Sequence, residues 1–334
     1  SELRACGVDF SFTPVLDLDW GGSGVIGDRA FHADPRVVTL LAKSLAQGLL
    51  QAGMAHCGKH FPGHGDTKTD SHLDLPVIPH SMTRLESIEL FPFLSLINEG
   101  AGCIMTAHLN LPALDPRPGL PSSLSRPIVT DLLKTRMNFR GLVITDAMNM
   151  KGVTNYFSNG LADAKALAAG NDVIEFVTDV QAAISETMKL IEKKEMTRGD
   201  IDNKCRKILA AKYWAGLGKF REIPAENLTH DLSDPSAKAL IRELYASSLT
   251  VLNNEEQLIP VKNLDKIRVA TLAINRNKTS AFQARLMNYH PADAFTADPS
   301  NHEQSEELIS RLSEYDLVIA GIYNTDQRPG NNFG

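Results

Sequence analysis

The feature that most limits what this chain can become is an alternation. Short apolar runs rich in β-formers, each with a polar residue at or near its C-terminal end, are separated by stretches with helical spacing. The runs fall at residues 9–18, 54–61, 101–109, 142–146 and 172–176. Between them, residues 35–52 carry apolar side chains at helical spacing and end on Gly53, and residues 84–98 end on Gly100. Strand then helix, repeated, predicts a parallel α/β sheet. Such a sheet can be open and doubly wound or closed as an eight-stranded barrel, which periodicity does not separate. The polar residues favour the barrel. Asp17, Lys59 with His60, His108 and Asp146 stand at the ends of different strands. A TIM-type barrel builds its site from several strand ends, whereas an open sheet concentrates it at one switch point.

Helical patterns at 180–194 and 198–215 follow, and then residues 216–229, with Gly, Pro and Asn and no clear period, mark a domain boundary. The expected division is therefore a catalytic barrel domain over 1–219 and a second α/β domain over 220–334. In the second, 235–246 and 303–313 predict helices, and 248–253, 267–274 and 317–323 predict strands. A length of 334 residues suffices for both cores. The chain opens at Ser1 without Met, inside a helix-like run, and closes on Gly334 just after a strand. The expectation is an internal portion of a longer protein, its barrel incomplete at the N-terminus and its second domain incomplete at the C-terminus.

A formal net charge of −6 with scattered basic residues argues against a nucleic-acid partner or a polybasic membrane segment. Cys6, Cys57, Cys103 and Cys205 lie far apart, so neither a zinc knuckle nor a disulfide framework is encoded. No run approaches the ~18 apolar residues of a transmembrane helix. There is no glycine-rich phosphate loop and no implied cofactor; Gly21-Gly22-Ser23-Gly24 reads as a flexible turn. Compartment stays open, with the cell envelope or secretion slightly ahead of the cytoplasm.

The densest chemistry lies in Lys59-His60-Phe61-Pro62-Gly63-His64-Gly65-Asp66-Thr67-Lys68-Thr69-Asp70-Ser71-His72. His56, His60 and His64 are spaced by four, which on a helix would align three imidazoles for a metal. Gly58, Pro62, Gly63 and Gly65 oppose a helix there, so no metal is expected. Asp70 and His72 share a side of an extended segment. A carboxylate bonded to one imidazole nitrogen fixes the tautomer and leaves the other to exchange a proton, although an Asp-x-His pair in a solvated loop is the plainer reading. Gly141 to Asp146 is a buried-strand run ending in a carboxylate that is placed either to attack a substrate or to cap the next helix. Arg29 can hold hydroxyls or form a surface ion pair.

Taken together, Phe12-Thr13-Pro14-Val15-Leu16-Asp17, Gly27-Asp28-Arg29, the Lys59 to Thr67 run, Asp70-Ser71-His72 and Ile144-Thr145-Asp146 resemble glycoside hydrolase family 3 in order and spacing. The Asp-Ser-His ending resembles its N-acetylglucosaminidase branch. The resemblance is strong over residues 1–220 and looser beyond. It implies a TIM-type barrel followed by an α/β sandwich, and a retaining β-N-acetylhexosaminidase acting on N-acetylglucosamine-containing oligosaccharides or peptidoglycan fragments. It further implies Asp146 as nucleophile, His72 as general acid/base, Asp70 as its orienting partner, and Arg29, Lys59 and His60, with His108 more weakly, as sugar-binding residues. His64 and Asp66 are expected to hold the loop. The family begins with further strands, which this chain does not match. Alternatives are a metal-dependent hydrolase using His60, His64, His72 and Asp146, a carbohydrate-binding module without turnover, and phosphorolysis. Phosphorolysis arises because an imidazole repels phosphate less than a carboxylate does.

Overall fold

A computed structural model describes residues 2–20, 25–67, 73–219, 222–223, 225–298, 300 and 302–325. Asp70, His72 and the 21–24 turn lie outside the described residues. The chain forms two compact units, residues 1–234 and 235–334. Among the described residues no helix is long and apolar enough to cross a membrane.

In the first unit, β1 (Phe10–Ser11), β2 (Ala55–Phe61), β3 (Cys103–Thr106) and β4 (Leu142–Thr145) are all parallel and pair in chain order. This is an arc of TIM-type barrel wall, with helices between successive strands. The helix Pro35–Gln51 starts where expected. Asp34 caps it by accepting from the Arg36 N–H at 2.8 Å, Pro35 occupies the first turn, and Val38, Ala42 and Ala46 face the core. The main core gathers Leu16, Phe61, Phe93, Leu96, Ile104 and Val143, with Phe61 and Phe93 edge to face at 5.3 Å.

Three sequence expectations need correction in this unit. The run 9–18 is a strand only at Phe10–Ser11, plus a bridge from Val15 to Lys59, because Pro14 has no N–H for the ladder and offers only its carbonyl to Lys59. The run 172–176 is not a strand. It meets β4 through one bridge, Val173 to Ile144, and leaves extended geometry at Phe176, whose φ is 52°. The single helix expected over 84–98 is two, Met82–Ser87 and Phe91–Asn98, since Pro92 cannot donate back into the preceding turn.

The second unit holds a parallel sheet in the order β6 (Ala292–Ala297), β5 (Val269–Ile274), β7 (Leu317–Ile322). Helices Pro235–Ser248 and His302–Leu312 match their periodic patterns. Residues 248–253, expected as a strand, have no regular partner; Leu252 is 94% exposed. β6 and the helix Ala281–Leu286 were not foreseen. Ala292–Ala297 has too little apolar alternation to announce a strand, and it is fixed by tertiary contact. Buried Gln283 donates to the Thr271 carbonyl at 3.2 Å and the Phe295 carbonyl at 2.9 Å, stitching that helix to β5 and β6.

Candidate active site

Parallel register carries the C-terminal ends of β2, β3 and β4 to one rim: Phe61 is level with Thr106, and Thr106 with Thr145. His60, His108 and Asp146 therefore share that rim, where a barrel's strand ends deliver reacting groups. Asp146 directly follows β4. Its N–H donates to the Thr106 carbonyl at 2.8 Å, and its Oδ1 accepts the Ala147 N–H at 2.8 Å. Burial works to raise the Asp146 carboxyl. The positive influence of His60 and His108, the Ala147 N–H and Lys59 outweighs it, and the group lies below the usual aspartate range. It is an ionised, half-buried carboxylate at neutral pH.

Asp17, fully buried, organises the start of the loop after β2. Its Oδ2 accepts from His60 Nδ1 at 2.7 Å, and its Oδ1 accepts the His64 N–H at 2.6 Å. A carboxylate can only accept, so Nδ1 of His60 carries the hydrogen. Burial pushes the Asp17 carboxyl up, but the charge and hydrogen bonds of His60 and His64 win and hold it low. Sequence reading placed Asp17 at a strand end and in the family motif but gave it no role. Only the fold shows it reaching more than forty residues ahead to His60 and His64.

The loop itself is braced by its own polar groups and by glycines. His64 Nδ1 meets Thr67 Oγ1 at 2.8 Å, and His80 Nε2 donates to Asp66 at 2.7 Å. Arg84 bonds Glu89 at 3.0 Å and lies over the Trp20 ring at 5.0 Å. Gly63 has φ of 127°, and a Cβ on Gly65 would collide with the Leu18 carbonyl. Histidines 56 and 60 lie on strand β2 rather than on a helix, so the four-residue spacing does not stack three imidazoles as helical register would.

His108 is buried with both ring nitrogens engaged: Nδ1 with Ser123 Oγ at 2.7 Å, Nε2 with the Ala147 carbonyl at 3.1 Å. The carbonyl accepts, so Nε2 carries the hydrogen; burial keeps the ring below the ordinary histidine range despite Asp146. Lys59 sits half-buried on β2 and contributes to the low position of Asp146. Arg29 is exposed, its guanidinium on the carbonyls of Val25 at 2.6 Å and Ile26 at 3.4 Å. Glu175 was not foreseen as a site residue, yet it lies beside Asp146. Its N–H donates to Thr145 Oγ1, and its carbonyl accepts the Met148 N–H, both at 3.0 Å.

Removing the Asp17 carboxylate leaves the backbone N–H groups of His60 and His64 without that acceptor in a buried place. Asp17→Ala is expected to cost about 3–5 kcal/mol of stability, measured by denaturant unfolding; a variant as stable as the parent would show that the loop is held otherwise. Asp17 is depressed in the folded state, so its stabilisation is full above the unfolded aspartate value. It is lost as pH falls through the lower folded value.

The family model for the glycosyl hydrolase family 3 N-terminal domain matches residues 1–211. The chain belongs to glycoside hydrolase family 3. The beta-hexosaminidase of Chromobacterium violaceum is 44% identical over 174 residues, 52% of this chain and 48% of its own length. The beta-hexosaminidase of Bordetella parapertussis is 47% identical over 175 residues, again 52% and 48%. The chain thus spans about half the length of the curated relatives it matches. Among solved structures, the family 3 beta-N-acetylglucosaminidase of Paenibacillus sp. str. FPU-7 superposes with a TM-score of 0.79 at 25% identity. That match covers 96% of this chain and 63% of the other.

Proposed function

We propose that this family 3 chain carries the catalytic centre of a retaining β-N-acetylhexosaminidase, which removes terminal β-linked N-acetylglucosamine from oligosaccharides or peptidoglycan fragments. The observation that carries the reading is Asp146: an ionised carboxylate at a strand end, half-buried and surrounded by His60, His108 and Lys59. Such a group is suited to form a bond with an anomeric carbon and to stabilise positive charge on the ring before that bond is complete. Relatives named beta-hexosaminidase that share more than two fifths of their aligned residues support the substrate class.

In this mechanism Asp146 attacks the anomeric carbon while His72 gives a proton to the departing oxygen, leaving a glycosyl-enzyme. His72, oriented by Asp70, then takes a proton from water as its oxygen attacks the same carbon and releases Asp146. Two inversions return the sugar with its original configuration. One of the two carboxyl groups usual in glycosidases is replaced by an imidazole. Lys59, His60 and Arg29 supply donors to sugar hydroxyls. His108, grouped with them on sequence grounds, is engaged by Ser123 and Ala147 and braces the turn that carries Asp146.

The test is turnover of 4-nitrophenyl N-acetyl-β-glucosaminide by the full-length protein, with products identified in water, in phosphate and with a chelator. The expected product is β-N-acetylglucosamine released first, in all three media. A sugar phosphate as the main product in phosphate would make the enzyme a phosphorylase. Loss of activity with chelator would favour the metal-dependent alternative, and no turnover of any N-acetylglucosaminide would overturn the reading.

A further inference from the structure

Beside the proposed nucleophile stands a second carboxyl for which the mechanism above has no use. Glu175 is fixed by its backbone against both sides of Asp146, through Thr145 Oγ1 and the Met148 N–H, each at 3.0 Å. Its Oε2 is buried and has no hydrogen-bond partner among the described residues. A buried carboxyl oxygen without a partner costs on the order of 1–3 kcal/mol, more when charged, so its retention at the rim asks for an explanation. The next residue supplies another sign of constraint. Phe176 has φ of 52°, a left-handed conformation that is strained for an aromatic residue. That sharp turn ends the extended segment one residue after Glu175.

Burial, followed by the negative charge of Asp146, holds the Glu175 carboxyl above the usual glutamate range, against the opposing influence of Lys59 and His60. Asp146, Lys59, His60 and Glu175 thus act on one another electrostatically within one small region. An acceptor left open in that region is completed by a donor from whatever molecule enters.

We propose that Glu175 is a substrate-contacting, specificity-determining residue whose Oε2 accepts the acetamido N–H at C2 of the sugar. The inference rests on the hexosaminidase reading. For attack, the anomeric carbon must lie against Asp146, so a group flanking Asp146 meets the substituents of the ring atoms next to that carbon. The ring oxygen on one side has no hydrogen to give, whereas the C2 substituent on the other side does. A carboxylate there rewards a donor and disfavours a substituent that cannot donate, because Oε2 would then stay buried and unsatisfied.

The experiment compares kcat/KM of the full-length wild type, Glu175→Gln and Glu175→Ala on 4-nitrophenyl N-acetyl-β-glucosaminide and on the 2-deoxy analogue, which lacks the donor. Glu175→Ala is expected to lose roughly 10- to 100-fold on the acetamido substrate, as for a hydrogen bond to a charged group, and under about 3-fold on the analogue. Glu175→Gln, which keeps a carbonyl acceptor without the charge, should fall between. Equal losses on both substrates would make Glu175 a structural residue and overturn the proposal, as would no loss on either. Both outcomes leave the function intact. A wild type inactive on every N-acetylglucosaminide instead overturns the hexosaminidase reading, and the role of Glu175 falls with it. Thermal unfolding of each variant separates misfolding from lost contact, and the Gln variant preserves the side chain's volume.

Discussion

Asp146→Ala is expected to reduce turnover of every glycoside at least roughly 10⁴-fold, because the covalent route disappears with the nucleophile. The loss should fall on kcat, with the protein still folded, since Asp146 is half-buried and its side chain accepts from the neighbouring Ala147 N–H at 2.8 Å. Glu175 is not expected to substitute, because its carboxyl is held above the ordinary range while that of Asp146 is held below it. A 5-fluoro glycosyl fluoride, which forms the intermediate faster than it is hydrolysed, should label the wild type on the peptide containing Asp146. Label on Glu175, or a variant retaining more than about a hundredth of the parental rate, would sink the assignment.

His72→Ala should behave differently, and its effect should depend on the leaving group. A nitrophenolate departs with little protonation, so the first step survives and deglycosylation slows by roughly 10²- to 10⁴-fold. The glycosyl-enzyme then accumulates, visible as a burst of nitrophenol. Azide needs no general base, so added azide should restore the rate and give the β-azide. Natural oligosaccharides, whose alkoxide leaving groups require the proton, should lose turnover in the first step and show no rescue. An α-azide, or full activity on oligosaccharides, would remove His72 from this role. Asp70→Asn offers a companion test, because its uncharged side chain no longer favours the protonated imidazole.

The expected signature of Asp70→Asn is a shift of the basic limb of the pH profile to lower pH. The sign follows from the physics: a neighbouring carboxylate stabilises imidazolium, so its removal lets His72 lose its proton at lower pH.

Much of this protein was legible in its sequence because the signals are local. The helix Pro35–Gln51 follows from the Asp34 cap, the proline in its first turn and the apolar spacing of Val38, Ala42 and Ala46. The strand cores at 55–61, 103–106 and 142–145 follow from apolar runs bounded by glycine and polar residues, and the alternation with helices dictates their parallel pairing. The polar residue that closes each run is carried to one rim by that pairing, so Lys59, His60, His108 and Asp146 could be chosen without coordinates. The place of Asp70 and His72 in the proposed chemistry rests instead on the resemblance of Asp70-Ser71-His72 to the N-acetylglucosaminidase branch of the family.

What only tertiary structure decided depends on contacts between residues distant in sequence, which no window of neighbours contains. Asp17 became a structural anchor once a loop on another strand brought the His60 ring and the His64 N–H to its oxygens. Glu175 ends a run that looks like any buried strand. Its place beside Asp146, and an Oε2 without a partner among the described residues, go with the single bridge at Val173 and the turn at Phe176. β6 exists because β5 offers it a ladder and Gln283 a buried hydrogen bond, not because Ala292–Ala297 prefers to be a strand. Local propensity and periodicity announce most of the elements and which of their ends are polar. Burial, long-range hydrogen bonds and the sum of nearby charges fix what each polar end can do.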